Sequence, residues 1–148
     1  PDARYLFGRV EWEYWRERED QHSKPVIDDS VRPIVEAGLA DFFEMDEQLT
    51  PELRTEPTPG HSIGHTSLWL ESAGERVLFT GDFLHHPCQA ARLDWCSSAD
   101  HDREQAIATR RRMLELLADE GTPVFGMHFG TPGVVVRHGD GYRIEPRD

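Results

Sequence analysis

A chain of 148 residues with 28 acidic against 16 basic side chains carries a formal net charge of −12. So acidic a surface repels phosphate backbones, which disfavours a nucleic-acid partner. Hydrophobic residues make up 37% and charged residues 30%, and no apolar run approaches the roughly 20 residues needed to cross a bilayer, so no membrane partner is expected. Cys88 and Cys96 are the only cysteines, and Pro1-Asp2-Ala3-Arg4 begins no leader of basic and then apolar residues; together these point to free thiols in the cytoplasm. The length suits one domain with a respectable core, and no internal repeat or domain boundary interrupts it. An opening Pro1 in place of Met suggests that upstream sequence is missing.

In chain order, Arg4-Tyr5-Leu6-Phe7 reads as a short buried strand. Residues 10–18 follow as a helix, because Arg and Glu fill the positions around Trp12, Tyr14 and Trp15; those aromatics pack against a sheet or wall a substrate pocket. Ser30 can cap a second helix expected to run to about Phe43, with Pro33 tolerated in its first turn and Val31, Ile34, Val35, Leu39 and Phe42 forming one apolar stripe. Residues 53–56 and 68–71 read as strands flanking Thr58-Pro59-Gly60-His61-Ser62-Ile63-Gly64-His65-Thr66-Ser67, a turn too rich in Pro and Gly to continue a ladder. Residues 66–71 and 76–80 form a hairpin around Ser72-Ala73-Gly74-Glu75, its second strand apolar enough to be buried on both faces.

Residues 83–98 show no clean period and read as a long loop of the kind that carries substrate contacts. A helix over about 100–120 follows, with Ser97, Ser98 or Asp100 as its cap and Ala106, Ile107, Met113, Leu114, Leu117 and Ala118 along one side. Within it, Arg110-Arg111-Arg112 reads as solvated or ion-paired surface. Gly121 stops the helix and Pro123 prevents its resumption. Residues 123–127 return to the sheet, and 134–137 with 142–145 close the chain as a hairpin turned by His138-Gly139-Asp140-Gly141.

Three strand ends each deliver a donor: His61 in its Pro- and Gly-rich turn, Asp82 after Val77-Leu78-Phe79-Thr80-Gly81, and His128 after Val124-Phe125-Gly126-Met127. A histidine held at a turn can present one free ring nitrogen, and this nitrogen–oxygen set suits Zn²⁺ or, less selectively, Mn²⁺, Fe²⁺ or Co²⁺. A carboxylate placed after a buried strand is costly to keep ionised alone, and a metal ion offsets that cost. His65 is expected to fix neighbouring loop groups through a ring hydrogen bond. His22, His86, His101 and His138 read as surface residues, and no base near Cys88 supports a nucleophilic thiol.

Pro59-Gly60-His61-Ser62-Ile63-Gly64-His65, Thr80-Gly81-Asp82 and Gly126-Met127-His128 resemble, in order and rough spacing, the later metal-binding motifs of the metallo-β-lactamase-fold hydrolases, nearest the lactonase and organophosphate-hydrolase-like branch. The superfamily's earlier His-x-His-x-Asp-His cluster has no counterpart, since His22 is the sole histidine before His61. The resemblance implies an α/β chain forming the C-terminal half of an αββα sandwich, with 1–148 a single partial domain. It implies a zinc pair, other divalent transition metals being possible, with His61 and His128 on different ions and Asp82 bridging them. Such a pair suits hydrolysis of a lactone, ester or phosphotriester; thioester cleavage of the glyoxalase type uses the same pair, whereas the residues after Asp82 look unlike a β-lactamase proper.

Lactonase-like relatives have a tyrosine at the position of His85, near the leaving oxygen. His85 is accordingly a candidate proton donor or polarising group, or else a solvated loop histidine. The second helix reads as a cover over a sheet face, and some relatives use this region as a lid over the active site. Because the absent cluster supplies the other four protein donors, this chain alone is expected to bind metal weakly and hydrolyse little, until a preceding segment or a second polypeptide, such as another copy in a homo-oligomer, completes the site around a small-molecule substrate. The alternative is a non-catalytic fragment or subunit that folds or assembles through exposed sheet surface.

Overall fold

Alternating apolar residues in the middle and end of the chain build a six-stranded sheet in the computed structural model, which describes residues 3–18, 23–130 and 132–147. Its strands lie in chain order: β3 (Leu53–Pro57), β4 (Thr66–Ser72), β5 (Glu75–Phe79), β6 (Pro123–Phe125), β7 (Gly133–His138) and β8 (Gly141–Pro146). Neighbours pair antiparallel except β5 and β6, which run parallel because the chain crosses over through the long helix α5 (Arg103–Glu120). The period of two sends Trp69, Leu78, Val124 and Val135 to one face, where they bury against Met113, Leu114 and Leu117 of α5. Asp102 starts α5 by accepting the Gln105 N–H at 3.0 Å, and Gly121 ends it. The cap is thus Asp102 and not Ser97, Ser98 or Asp100, whose carboxylate is engaged elsewhere.

The opposite face carries Leu70, Val77 and Phe79, all only half-buried, and Phe125, which is 40% exposed. The expectation that β5 is buried on both faces therefore fails: Leu78 is fully buried, but no layer of the described residues covers the side of Val77 and Phe79. A shallow trough of about 440 Å³ runs over this open face.

A two-stranded parallel sheet, β1 (Tyr5–Gly8) and β2 (Ala40–Phe43), is formed by the first part of the chain, joined through α1 (Arg9–Trp15), α2 (Ser23–Val26), a wide π turn (Ile27–Val31) and α3 (Arg32–Glu36). Two expectations are corrected here. The second helix stops at Glu36, because Ala37-Gly38 turns the chain and Leu39 to Phe43 extends beside β1, with the Arg4 guanidinium donating to both Asp41 carboxylate oxygens. The first strand is not buried, since with one partner it leaves Tyr5 44% and Leu6 55% exposed. Trp12 stacks on Phe42 at 6.1 Å between ring centres, so this aromatic packs on a strand as one of its two readings held.

Arg110, read as surface, is fully buried on the inner side of α5, whereas Arg112 does form the expected ion pair, with Glu56 at 2.7 Å. The 83–98 loop contains one short helix, α4 (Cys88–Ala91), and both cysteines are free thiols. His86, His101 and His138 are exposed, as expected; His22 lies outside the described residues. No helix among the described residues is long and apolar enough to cross a membrane.

Candidate metal centre

The turn after β3 is fixed from both sides before any donor is considered. Thr58 N–H donates to the His65 carbonyl at 2.9 Å, and Gly60 N–H to Ser62 at 3.0 Å, closing a tight loop. The segment leading into α5 clamps that loop: Asp102 N–H donates to the Gly60 carbonyl at 2.9 Å, His101 N–H to the His61 carbonyl at 3.0 Å, and the Thr109 hydroxyl to Pro59 at 2.6 Å. Gly60 is required by this approach, because at φ +131° a Cβ would stand 2.3 Å from the Ala106 nitrogen. On the other side, Glu11 of α1 accepts the Gly64 N–H.

His65 spans the gap between this turn and Asp82. The Asp82 N–H donates to its Nε2 at 2.8 Å, which leaves the ring proton on Nδ1, facing the Thr58 hydroxyl at 2.8 Å. Burial foremost, and then the neighbouring His61, hold the His65 pKa below its ordinary value, in keeping with a neutral ring whose two nitrogens are both committed. It fixes loop groups, as expected, and offers no free nitrogen.

Asp82 stands in a 3₁₀ turn (Gly81–Phe83) at the end of β5, and its two oxygens face different imidazoles. Oδ2 lies 3.5 Å from His61 Nε2, and Oδ1 lies 3.0 Å from His128 Nε2. The other ring nitrogen of His61, Nδ1, is 3.2 Å from Asp100 Oδ1. That carboxylate is only 1% exposed and also accepts the Ser97 N–H at 2.8 Å. An imidazole that donates from Nδ1 to a buried carboxylate presents its lone pair at Nε2, the arrangement in which histidine ligates metals. In His61 that lone pair points at a carboxylate oxygen, a contact that becomes favourable only with a cation or proton between them.

His85 completes the cluster. Its ring centre is 4.7 Å from that of His61 and 5.2 Å from that of His128, and its Nδ1 is buried with no hydrogen-bond partner. Burial, and then His61, lower its pKa. The structure thus brings His61, Asp82, His85 and His128 together from three separate stretches of chain, Asp82 and His85 sharing one, with Asp100 behind them. Two sets have donor atoms within 4.8 Å of one another: Asp82 with His85 and His128, and His61 with His85 and Asp100.

Two residues of the centre are missed by sequence reasoning. Asp100 carries no motif, being one of several carboxylates before a helix. Arg110 reaches the site from behind, with Nη2 3.9 Å from Asp100 Oδ2, Nη1 donating to the Leu93 carbonyl at 2.8 Å and Nε to that of Phe83 at 3.4 Å. Its helical spacing from Ala106, Met113, Leu114 and Leu117 was the signal that it faces inward.

The family model described as metallo-beta-lactamase superfamily matches residues 2–137. No curated protein matches the chain. Among solved structures, AidC, a dizinc quorum-quenching lactonase, is similar over 100% of this chain and 56% of its own, at 21% identity and TM-score 0.85. AbOPH, a hydrolase of the beta lactamase superfamily, matches over the same shares at 21% identity and TM-score 0.83. An N-acyl homoserine lactone hydrolase with N-hexanoyl-L-homoserine bound at its catalytic metal centre is 25% identical over 83% of this chain and 46% of its own, at TM-score 0.62. The chain spans about half the length of these proteins, and its mixed α/β layers match their fold.

Proposed function

The chain belongs to the metallo-beta-lactamase superfamily, and from that premise we propose that it is the C-terminal, donor-bearing part of a metal-dependent hydrolase acting on a lactone, ester or related small substrate. The carrying observation is the Asp82 carboxylate, which offers one oxygen to the side of His61 and the other to the side of His128. That is what a bridge between two ions requires, and His61, Asp82 and His128 are the proposed ligands, for zinc first and for other divalent transition metals less selectively.

When bound, such a pair supplies Lewis acidity and a nucleophile from water near neutral pH. The residues of the chain do the rest. Asp100 holds His61 in the tautomer that leaves Nε2 free. His65 holds the Asp82 backbone and so aims its carboxylate. His85, neutral because its pKa is depressed, polarises the leaving oxygen of the substrate through a ring N–H. The lactonases among the similar structures favour a lactone as that substrate.

One histidine for each ion and a shared carboxylate fall short of the three or four protein ligands of a stable two-ion site. We therefore read residues 1–148 as a single partial domain, weakly active or inactive by itself, whose remaining donors come from a preceding segment or another polypeptide. Two free thiols agree with a cytoplasmic setting. The test is metal analysis with a lactone and ester panel, run on this chain and on a longer one in which a His-x-His-x-Asp-His segment precedes it. The longer chain is expected to hold two ions and turn over a lactone, and Asp82→Asn to lower that turnover by about 100-fold or more, beyond the loss of an outer-shell partner. Unchanged turnover in Asp82→Asn sinks the reading.

A second reading, a non-catalytic subunit that assembles through its sheet, is favoured by the open face of Leu70, Val77, Pro123, Phe125 and Pro132. No turnover by either chain, together with self-association through that face, would select it.

A further inference from the structure

We propose that His85 is a metal donor in its own right, and that Asp82, His85 and His128 form a one-ion site complete within this chain. The inference rests on the reading of Asp82 and His128 as donors and extends it to a residue treated above as a polarising group.

One donor atom from each of the three lies within 4.8 Å of the other two. Two ligands on a single tetrahedral zinc, each about 2.0–2.1 Å from it, stand roughly 3.3 Å apart, and the Asp82 Oδ1 to His128 Nε2 separation of 3.0 Å is already close to that. The His85 ring lies nearly parallel to that of His128, at an interplanar angle of 20°. Its Nδ1 is shielded from solvent and finds no partner, a deficit that ordinarily costs about 1–3 kcal/mol and that a metal–ligand bond would remove.

The ring is also held in place for the task. His85 N–H donates to Gln89 Oε1 at 2.8 Å, and the buried Gln89 amide in turn donates to the Trp95 carbonyl at 3.1 Å. His85 is therefore fixed at its backbone by a partner behind it, leaving the imidazole free to face the cluster.

The competing set, His61 with His85 and Asp100, is the weaker candidate. Asp100 spends one oxygen on His61 Nδ1 and the other on the Ser97 N–H, and at 1% exposure it lies behind the histidine, not in front of it. The chosen set opens to solvent instead, His128 being 50% exposed, so an ion can enter. Two imidazoles and one carboxylate suit Zn²⁺, Fe²⁺, Co²⁺ or Mn²⁺ over Mg²⁺ or Ca²⁺, and three protein donors leave coordination positions for water or a small anion.

The test uses the chain as it is. Co²⁺ titration followed by visible absorption should give one ion per chain, and Zn²⁺ should shift the ring ¹⁵N resonances of His85 and His128 in the unsubstituted protein. His85→Gln should weaken Co²⁺ binding by more than about tenfold, the least that losing even an outer-shell partner costs. His86→Gln, next to it and exposed, should leave binding unchanged. His85 resonances that stay put at saturating Zn²⁺, or His85→Gln binding as tightly as the parent, overturn the inference while leaving Asp82 and His128 as donors. Binding that also survives Asp82→Asn and His128→Gln defeats the underlying reading as well. A chain that retains no ion overturns the inference alone, since the two-ion centre draws its further donors from elsewhere.

Discussion

Arg110 meets three backbone or side-chain groups from inside α5 and is the most consequential single side chain behind the site. Its guanidinium is fully buried, donates to the carbonyls of Phe83 and Leu93, and supplies the counter-charge nearest Asp100. Phe83 follows Asp82, so one cation steadies the turn that carries the Asp82 carboxylate between His61 and His128 and the Asp100 carboxylate that orients His61. Arg110→Met keeps the bulk but strands the Asp100 charge and two carbonyls. It should destabilise the chain by about 3–5 kcal/mol, the range for breaking a buried ion pair on one side, as read from urea unfolding followed by fluorescence. That His61, Asp82 and His128 meet is legible in the sequence, because each follows a strand through glycine or a tight turn. Arg110 is hidden by Arg111 and Arg112, whose neighbourhood suggests surface, although only the helical period separates the inward arginine from the outward pair. Asp100 is invisible for another reason: its partner His61 lies on a different element, and only the folded chain brings them together.

The junction between the His61 turn and α5 is where element packing becomes site geometry. Backbone N–H groups of His101 and Asp102 bond across it to the carbonyls of His61 and Gly60, and Gly60 lets the two segments approach to a distance no side chain would tolerate. Gly60→Ala should therefore lift the turn from the helix. It is expected to cost more than about 1 kcal/mol of stability in a thermal melt, because both the space and the positive φ oppose it. It should also weaken metal binding, since His61 moves with the loop.

The β4–β5 and β7–β8 hairpins are readable from local pattern, with Ala73-Gly74 at the first turn and Gly139-Asp140 at the second. The region before residue 44 is less so. There an apolar stripe at helical spacing continues past Glu36, yet the Ala37-Gly38 turn and pairing with β1 convert its last residues into a strand. Pairing partners thirty-five residues apart leave no mark on a window of eleven to eighteen.

At the scale of the whole molecule, the sheet is asymmetric. One face is sealed by α5, and the other shows Leu70, Val77 and Phe79 half-covered with Phe125 open to solvent. An apolar surface of this kind on an otherwise acidic chain is where association is expected. Sedimentation velocity of the chain should show concentration-dependent self-association, and Phe125→Lys should suppress it without altering the far-ultraviolet circular dichroism. A monomer at every concentration would count against the face as an assembly surface. The amphipathic strands predict one covered side correctly; that the second side stays open is a matter of what else is present, and no local signal in β5 distinguishes the two.

The His65 ring joins the turn at Thr58 to the backbone of Asp82, so two strand ends share a single hinge pin. Protonating that ring would break its acceptor role and let both ends drift at once. Whatever loosens residue 65 therefore disarms the carboxylate and the imidazole at 61 in the same stroke, and damage at this one position should read out as loss of the entire cluster and not of a single ligand.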